Sequence, residues 1–316
     1  MAASSATGAP RSRGPSPPER TRCNATSWRA ATCDCPRPSD RRMPPRVELS
    51  HPCEGVGLLL FENPPMNFLT AQLGEQIEQG LREIRDSGAK VVVLASKLAG
   101  YFIAHMALDE VLALHEGRPL SGDIAAIGRC GRELRSGPMI SIALNQGQAW
   151  GGGCELFATA NLRVAGESAT FGQPESLFGL MAAGGGTSRL PRLIGEARAL
   201  ELVLDGRPIR ARRALEWGLV NRVHPDARAL EQTLRWAAWI ASRPATALTA
   251  ARRSILLGLD QPAFRDAVAV EARIYAEFSR LDVEDRLRRV RAGLSRYQAG
   301  GDSFEAWGLD PNDLDR

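Results

Sequence analysis

The stretch Trp150-Gly-Gly-Gly-Cys-Glu-Leu-Phe157 decides how the rest of this chain is interpreted. Its three consecutive glycines open a segment that reads as a helix, and Glu155 falls in the first turn of that helix. Glycine lets a backbone approach a ligand closely, and the first N–H groups of a helix have no acceptor within it. These groups and the helix dipole favour negative charge at this position. The stretch therefore predicts a backbone site for a developing anion, with a carboxylate beside it.

A second carboxylate, Glu175, follows in the segment Phe171-Gly-Gln-Pro-Glu175. Two titratable groups in different environments can take and give protons in one reaction, so the pair indicates chemistry beside a carbonyl. Each feature also has a purely structural interpretation. Gly151–Gly153 could serve only close helix packing, with Glu155 as a favourable charge on the helix dipole. Glu175 could be an ordinary carboxylate in a turn.

Alternating strand and helix patterns indicate the fold class. The short apolar runs are typical of strands buried on both faces, and the segments between them have the 3.6-residue spacing of helices. The predicted strands are Val56–Phe61, Val91–Ala95, Met139–Leu144 and Ala169–Phe171. The predicted helices are Leu69–Ile84, Ala107–His115, Ile124–Arg135 and Glu196–Leu204, with almost continuous helix after Asp226. Strands that alternate with helices predict an α/β protein with a mainly parallel sheet.

Three regions are predicted along the 316 residues. Residues 1–45 are rich in Pro, Ser and Arg with few large apolar residues, so we expect a disordered extension. Residues 46–250 form the predicted core, and residues 251–316 a helical C-terminal region. The extension is either dispensable, with Met43 as the true start, or an Arg-rich organelle transit peptide, although its prolines oppose the amphipathic helix that such a peptide needs.

Charge and cysteine usage exclude several classes of protein. The formal net charge is +4, but residues 1–45 carry +5, which leaves about −1 for the rest and argues against a nucleic-acid-binding face. No apolar run reaches the length of a membrane span. The six cysteines form no regular framework, and Cys33-Asp-Cys35 lacks zinc-site spacing, so we expect reduced thiols and no metal. A cytoplasmic protein is expected, or a mitochondrial one if residues 1–42 are a transit peptide.

Four motifs occur in order and carry a family resemblance. They are Ala149-Trp-Gly-Gly-Gly-Cys-Glu-Leu-Phe-Ala158, Phe171-Gly-Gln-Pro-Glu175, Gly184-Gly-Gly-Thr-Ser-Arg-Leu190 and Ala214-Leu-Glu-Trp-Gly-Leu-Val220. A glycine triplet alone is common, but the four together resemble the enoyl-CoA hydratase/isomerase (crotonase) family, and most closely its hydratase branch. The similarity extends from about Val47 to the 290s.

The resemblance implies a fold, a reaction and a set of partners. The fold would be a crotonase-like spiral of ββα units with a helical C-terminal trimerisation region, in a homotrimer or homohexamer. The substrate would be an acyl-CoA thioester, so that coenzyme A belongs to the substrate and no separate cofactor is needed. The reaction would be addition of water across the 2,3 double bond of an enoyl-CoA.

The resemblance also implies roles for individual residues. The N–H groups of Ala104 and Gly152 would form an oxyanion hole for the thioester oxygen. Glu155 would mainly activate water and Glu175 would mainly supply the Cα proton, with the pair titrating as a unit. The implied substrate-binding residues are Ala104, His105, Met106, Ala107, Trp150 and Gly152. His105 could contact the thioester or CoA, or be only a packed or solvated loop residue; Trp150 would be an apolar wall of the acyl pocket.

The chain departs from the family at three places. Ala104-His-Met-Ala107 stands where relatives typically have Ala-Gly-Ala-Asp, and Ala182-Ala-Gly-Gly-Gly186 where they have Pro-Gly-Ala-Gly-Gly. The usual lysine-containing C-terminal segment is replaced, so the cation for the CoA phosphates is unassigned. An isomerase, a dehydratase, a thioester hydrolase or a non-catalytic acyl-CoA-binding scaffold subunit therefore stays open as an alternative. Retention of both glutamates favours the hydratase.

Overall fold

The computed structural model describes residues 44–299, whose strands form two sheets. The predicted extension therefore lies outside the described residues except for its last two, and so do residues 300–316. The strands are β1 (Arg46–Cys53), β2 (Val56–Glu62), β3 (Val91–Ser96), β4 (Gly100–Ile103), β5 (Ile140–Asn145), β6 (Gly147–Trp150), β7 (Leu162–Gly166), β8 (Thr170–Gly172), β9 (Ile209–Arg210) and β10 (Arg222–His224).

The two sheets divide the strand pairs between them. The larger sheet has the order β1-β2-β3-β5-β7-β10 and is parallel except for the β1–β2 pair. The smaller has the order β4-β6-β8-β9 and is parallel except for β8–β9. In each of the successive pairs β3/β4, β5/β6 and β7/β8, the first strand joins the larger sheet and the second joins the smaller. Helices follow each pair, so the predicted α/β spiral of ββα units is confirmed.

The helices cover both sheets and continue into the C-terminal region. They are α1 (Ala71–Asp86), α2 (Leu108–Glu116), α3 (Ala125–Ser136), α4 (Gly152–Thr159), α5 (Gly186–Ile194), α6 (Glu196–Asp205), α7 (Ala211–Trp217), α8 (Asp226–Ala241), α9 (Ala245–Leu259), α10 (Phe264–Phe278) and α11 (Val283–Gln298), with a 3₁₀ turn at Pro174–Phe178. The predicted boundary at residue 250 falls inside α9. No helix in the part of the chain that the structure describes is long and apolar enough to cross a membrane.

A row of fully buried phenylalanines joins successive units of the spiral. The rings of Phe61, Phe102, Phe157 and Phe171 lie in sequence with centroid separations of 5.2, 5.5 and 5.0 Å. They come from β2, β4, α4 and β8, and burying one such side chain stabilises a fold by about 1.5–3 kcal/mol. This row fixes α4, which carries the glycine motif, between the strands of the smaller sheet and the helices outside it.

The sequence-based assignment was incomplete for the smaller sheet. The segment Gly100–Ile103 forms strand β4, which is not among the strands predicted from the sequence. The smaller sheet has strands of two to four residues, which are too short to show a clear period. Longer apolar runs, such as Val91–Ser96 and Ile140–Asn145, were predicted to within a residue or two.

Candidate active site

The glycine triplet lets α4 begin tightly against the smaller sheet. Gly151 has a φ of 49°, in the region that favours glycine, and its N–H donates to the Gly172 carbonyl at 2.9 Å. A Cβ on Gly153 would lie only 2.2 Å from the Ile103 carbonyl oxygen, so only glycine permits this close packing of helix on strand. The backbone at the helix N-terminus is thus fixed in place from both sides.

Two N–H groups without acceptors lie beside each other at this helix N-terminus. Leu69 bonds the chain on either side of Met106: its N–H donates to the His105 carbonyl and its carbonyl accepts from Ala107, both at 2.9 Å. The Met106 N–H between those bonds has no acceptor within residues 44–299, and neither has the Gly152 N–H. The Met106 nitrogen lies 3.8 Å from the point where a Cβ on Gly152 would sit. The two groups therefore form a candidate oxyanion hole.

This arrangement corrects the predicted role of Ala104. Ala104 is fully buried, and its N–H donates to the Met66 carbonyl at 3.3 Å. It does not line the cavity that contains Gly152. The structure thus brings together Met106 and Gly152, whereas the N–H of Ala104 is already engaged in the scaffold.

Both predicted carboxylates face the same cavity. Its volume is about 500 Å³, and its walls include Leu69, Met106, Gly152, Leu156, Glu155 and Glu175. The carboxylates are contributed by α4 and by the 3₁₀ turn at Pro174–Phe178. The cavity therefore combines free N–H donors, two titratable groups and apolar walls, as expected for a site that binds a small molecule.

Glu155 is buried, yet its surroundings also stabilise its anion. Its Oε1 accepts the Gly186 N–H at 2.8 Å, at the N-terminus of α5. Burial raises the pKa of Glu155, whereas backbone N–H groups of Gly186 and Gly184 and the charge of Arg189 oppose that rise. The opposing donors suit a carboxylate that accepts a proton from water.

Glu175 is in a different environment. Burial, helped by the neighbouring charge of Glu155, raises the pKa of Glu175 to about 7. With its NH₂ turned toward the carboxylate, the buried amide of Gln173 donates to Oε1 and Oε2 at 2.9 and 3.0 Å. The sequence analysis missed Gln173 as a positioning residue, although it stands inside the quoted motif. A carboxyl with this pKa is partly protonated near neutral pH and suits a proton donor.

The remaining predicted contacts lie outside the cavity walls. Trp150, predicted as an apolar wall of the acyl pocket, donates from Nε1 to Thr170 Oγ1 at 3.1 Å and is not among the residues that line this cavity. His105 places its ring centroid 4.9 Å from that of Phe68 and bonds the Met106 carbonyl through Nδ1 at 2.7 Å. Ala107 is buried at the start of α2. His105 and Ala107 shape the loop around Met106 instead of lining the cavity.

A spiral of ββα units, with paired carboxylates beside a helix N-terminus, defines the crotonase-fold class of proteins. Solved structures agree with this assignment. The enoyl-CoA hydratase from Geobacillus kaustophilus HTA426 superposes with a TM-score of 0.69 at 26% identity, covering 81% of this chain and 94% of that one. The enoyl-CoA hydratase from Bacillus anthracis gives a TM-score of 0.69 at 27% identity, covering 81% and 96%.

Sequence comparison identifies the family. The model of the enoyl-CoA hydratase/isomerase family matches residues 52–298. A Bacillus subtilis protein named as an enoyl-CoA hydratase/isomerase, YngF, is 31% identical over 78% of this chain and 92% of its own length. The fatty acid oxidation complex subunit alpha of Shewanella amazonensis is 36% identical over 60% of this chain, which spans only 28% of that subunit. The chain belongs to the enoyl-CoA hydratase/isomerase family.

Proposed function

We propose that this protein is an enoyl-CoA hydratase, which adds water across the 2,3 double bond of an enoyl-CoA thioester. The observation that carries the proposal is the meeting of four groups in one cavity: the acceptor-free N–H groups of Met106 and Gly152, and the carboxyl groups of Glu155 and Glu175. The names of its relatives support the same class of substrate.

The two N–H groups would hold the thioester oxygen. As water adds at Cβ, the electrons of the double bond move toward that oxygen and form an enolate. Fixed N–H donors stabilise such an anion more than the neutral substrate, and removal of one donor from a comparable site costs about 2.7–4 kcal/mol in activation free energy. The donor pair proposed is Met106 with Gly152, in place of the pair with Ala104.

The two carboxyl groups would complete the proton transfers. Glu155, as the anion, takes a proton from the attacking water while the oxygen bonds to Cβ. Glu175, as the acid, gives its proton to Cα, and the enolate collapses to the saturated 3-hydroxyacyl thioester. Glu155 is then protonated and Glu175 ionised, so one proton passes from Glu155 to Glu175 before the next cycle. The raised pKa of Glu175 and the N–H donors around Glu155 support this division of roles.

The alternatives on this fold use fewer of these groups. A double-bond isomerase needs one carboxylate to move one proton, and a scaffold subunit needs none. Glu155 and Glu175 both face the cavity, and hydration is the reaction that employs both. A homotrimer or homohexamer and a cytoplasmic location stay predictions.

The direct test is hydration of a short 2-enoyl-CoA by the purified protein, followed by loss of the conjugated thioester absorbance. Glu155→Gln and Glu175→Gln should each lower kcat by about 10²–10⁴-fold, the usual contribution of acid–base groups. Glu167→Gln is the matched control, because Glu167 is an exposed glutamate at the end of β7. Loss of less than tenfold from either cavity variant would reject the assigned roles. Turnover of a 3-enoyl-CoA with no hydration would identify an isomerase instead.

A further inference from the structure

The walls of the cavity also include arginines that lack ion-pair partners among the described residues. Arg135 on α3 and Arg189 on α5 both line the cavity. Neither side chain has a carboxylate within ion-pair distance in the part of the chain that the structure describes. By contrast Arg129, on the same helix α3, is paired with both Glu78 and Asp123. Within the described residues, Arg129 is thus neutralised by carboxylates, whereas Arg135 and Arg189 are not.

The surroundings of Arg189 indicate an anion-binding site more strongly than those of Arg135. The Nη1 of Arg189 is buried and has no hydrogen-bond partner within residues 44–299. Burial and the like charge of Arg135 lower the pKa of Arg189, and the charge of Glu155 only partly offsets this. A buried donor on a guanidinium group is costly to leave unpaired. An arginine held in this way is prepared for an anion that enters from the cavity.

The length of α4 along the cavity suits an acyl chain. Gly152 is the first residue of α4 and Thr159 the last, and both line the cavity. Those seven residues of helix correspond to a rise of about 10 Å. A Cβ on Gly131 of α3 would lie 3.3 Å from Thr159 Cγ2, and Arg135 follows one turn later. Apolar side chains, including those of Ile127 and Leu156, line the same cavity.

We propose that the acyl group of the substrate ends in a carboxylate, which binds between Arg135 and Arg189. The protein would thus act on ω-carboxy-2-enoyl-CoA thioesters of medium chain length. Arginine pairs a carboxylate through two parallel N–H donors, and this geometry gives selectivity over an uncharged chain end. The inference rests on the proposed function, because it takes the thioester oxygen to lie at Met106 and Gly152.

Binding of saturated thioesters tests the inference without requiring turnover. Isothermal titration of the full-length protein would compare suberoyl-CoA with its ω-methyl ester, which has a matched chain and no terminal charge. We expect suberoyl-CoA to bind at least tenfold more tightly than the methyl ester. Arg135→Met should lower this ratio of affinities at least tenfold. Arg135→Lys should retain part of the preference. Arg192→Met is the matched control, because Arg192 lies on α5 and bonds the Ser188 carbonyl outside the cavity walls.

The outcomes separate this inference from the proposed function. Equal affinity for the two thioesters in the wild-type protein overturns it, and this result does not depend on any variant folding. Equal weakening of both ligands by Arg135→Met also overturns it, since the arginine would then hold the phosphates of CoA. Selective binding of suberoyl-CoA, lost in Arg135→Met, supports the carboxylate site even if no enoyl-CoA is hydrated, in which case only the proposed reaction fails.

Discussion

The Gly186 N–H donates to Oε1 of Glu155 at 2.8 Å, which places the N-terminus of α5 against the carboxylate. A Cβ on Gly186 would lie 2.9 Å from the same oxygen, so glycine permits the contact. The helix N-terminus favours the anion of Glu155. Glu175 receives no comparable helix terminus, and burial raises its pKa to about 7. Burial raises the pKa of both carboxyl groups, but the N–H donors of α5 act on Glu155, so the two environments differ in the way that the proposed acid–base roles require.

The proposed acid role of Glu175 predicts how hydration depends on pH. The active form carries a proton on Glu175, so it is lost as the pH rises through about 7. We expect kcat/KM to fall by about tenfold per pH unit well above pH 7. The measurement is initial-rate hydration from pH 6 to 9. The Glu175→Gln variant should hydrate the substrate slowly, and its kcat/KM should show almost no fall above pH 7. A wild-type profile that stays level across the range contradicts the acid role.

The same raised pKa predicts a cost in stability. The folded protein holds the Glu175 proton up to about pH 7, whereas an unfolded glutamate loses it near 4.5. Between these values the folded state binds more protons, so this residue makes stability fall as the pH rises. Glu175→Gln should therefore raise Tm at pH 8, with a difference that shrinks toward pH 4.5. Thermal unfolding of wild type, Glu175→Gln and Glu167→Gln tests this. A lower Tm for Glu175→Gln at pH 8 is the contrary result.

Much of the fold could be predicted because its main sheet is built from wholly apolar runs. Val91–Ser96 is buried along nearly its whole length, which leaves a clear signal in sequence. Strand β9, with two residues, leaves none, and its pairing with β8 depends on contacts with a distant part of the chain. Local pattern therefore predicted the parallel sheet and the helices, but not that the strands divide between two sheets.

Local sequence pattern was limited in the same way in predicting the individual residues of the site. The motifs located Glu155, Glu175 and Gly152, which the structure brings to one cavity. They also selected the segment after β4, but they did not show which backbone N–H in that segment lacks an acceptor. That depends on the bridge between Leu69 and Met106, which joins segments far apart in the chain. The sequence likewise did not predict that Arg135 lines the cavity, because no local pattern shows whether an arginine will meet a carboxylate.

Two substitutions at one position separate loss of an N–H donor from added bulk. Gly152 is the first residue of α4, a position where proline is well tolerated but removes the N–H. Alanine keeps the N–H, and its Cβ meets the Leu69 side chain at 3.1 Å. We expect Gly152→Pro to lower kcat by about 10²–10³-fold beyond the effect of Gly152→Ala. Circular dichroism and Tm verify that both variants fold. Equal activity of the two variants would show that this N–H does not bind the thioester oxygen.

The C-terminal helices carry an apolar surface that bears on the predicted oligomer. Ile255 on α9 is 63% exposed and Tyr275 on α10 is 67% exposed, and both line one groove between these helices. Such a surface is typical of a subunit interface, and the family resemblance implies a homotrimer or homohexamer. Size-exclusion chromatography with light scattering should give three or six times the monomer mass. Ile255→Glu combined with Tyr275→Glu should shift the mass toward the monomer, because it buries charge at the contact. Gln261→Glu, in the linker between the helices, should not. A wild-type protein that elutes as a monomer at micromolar concentration would assign this groove to another use.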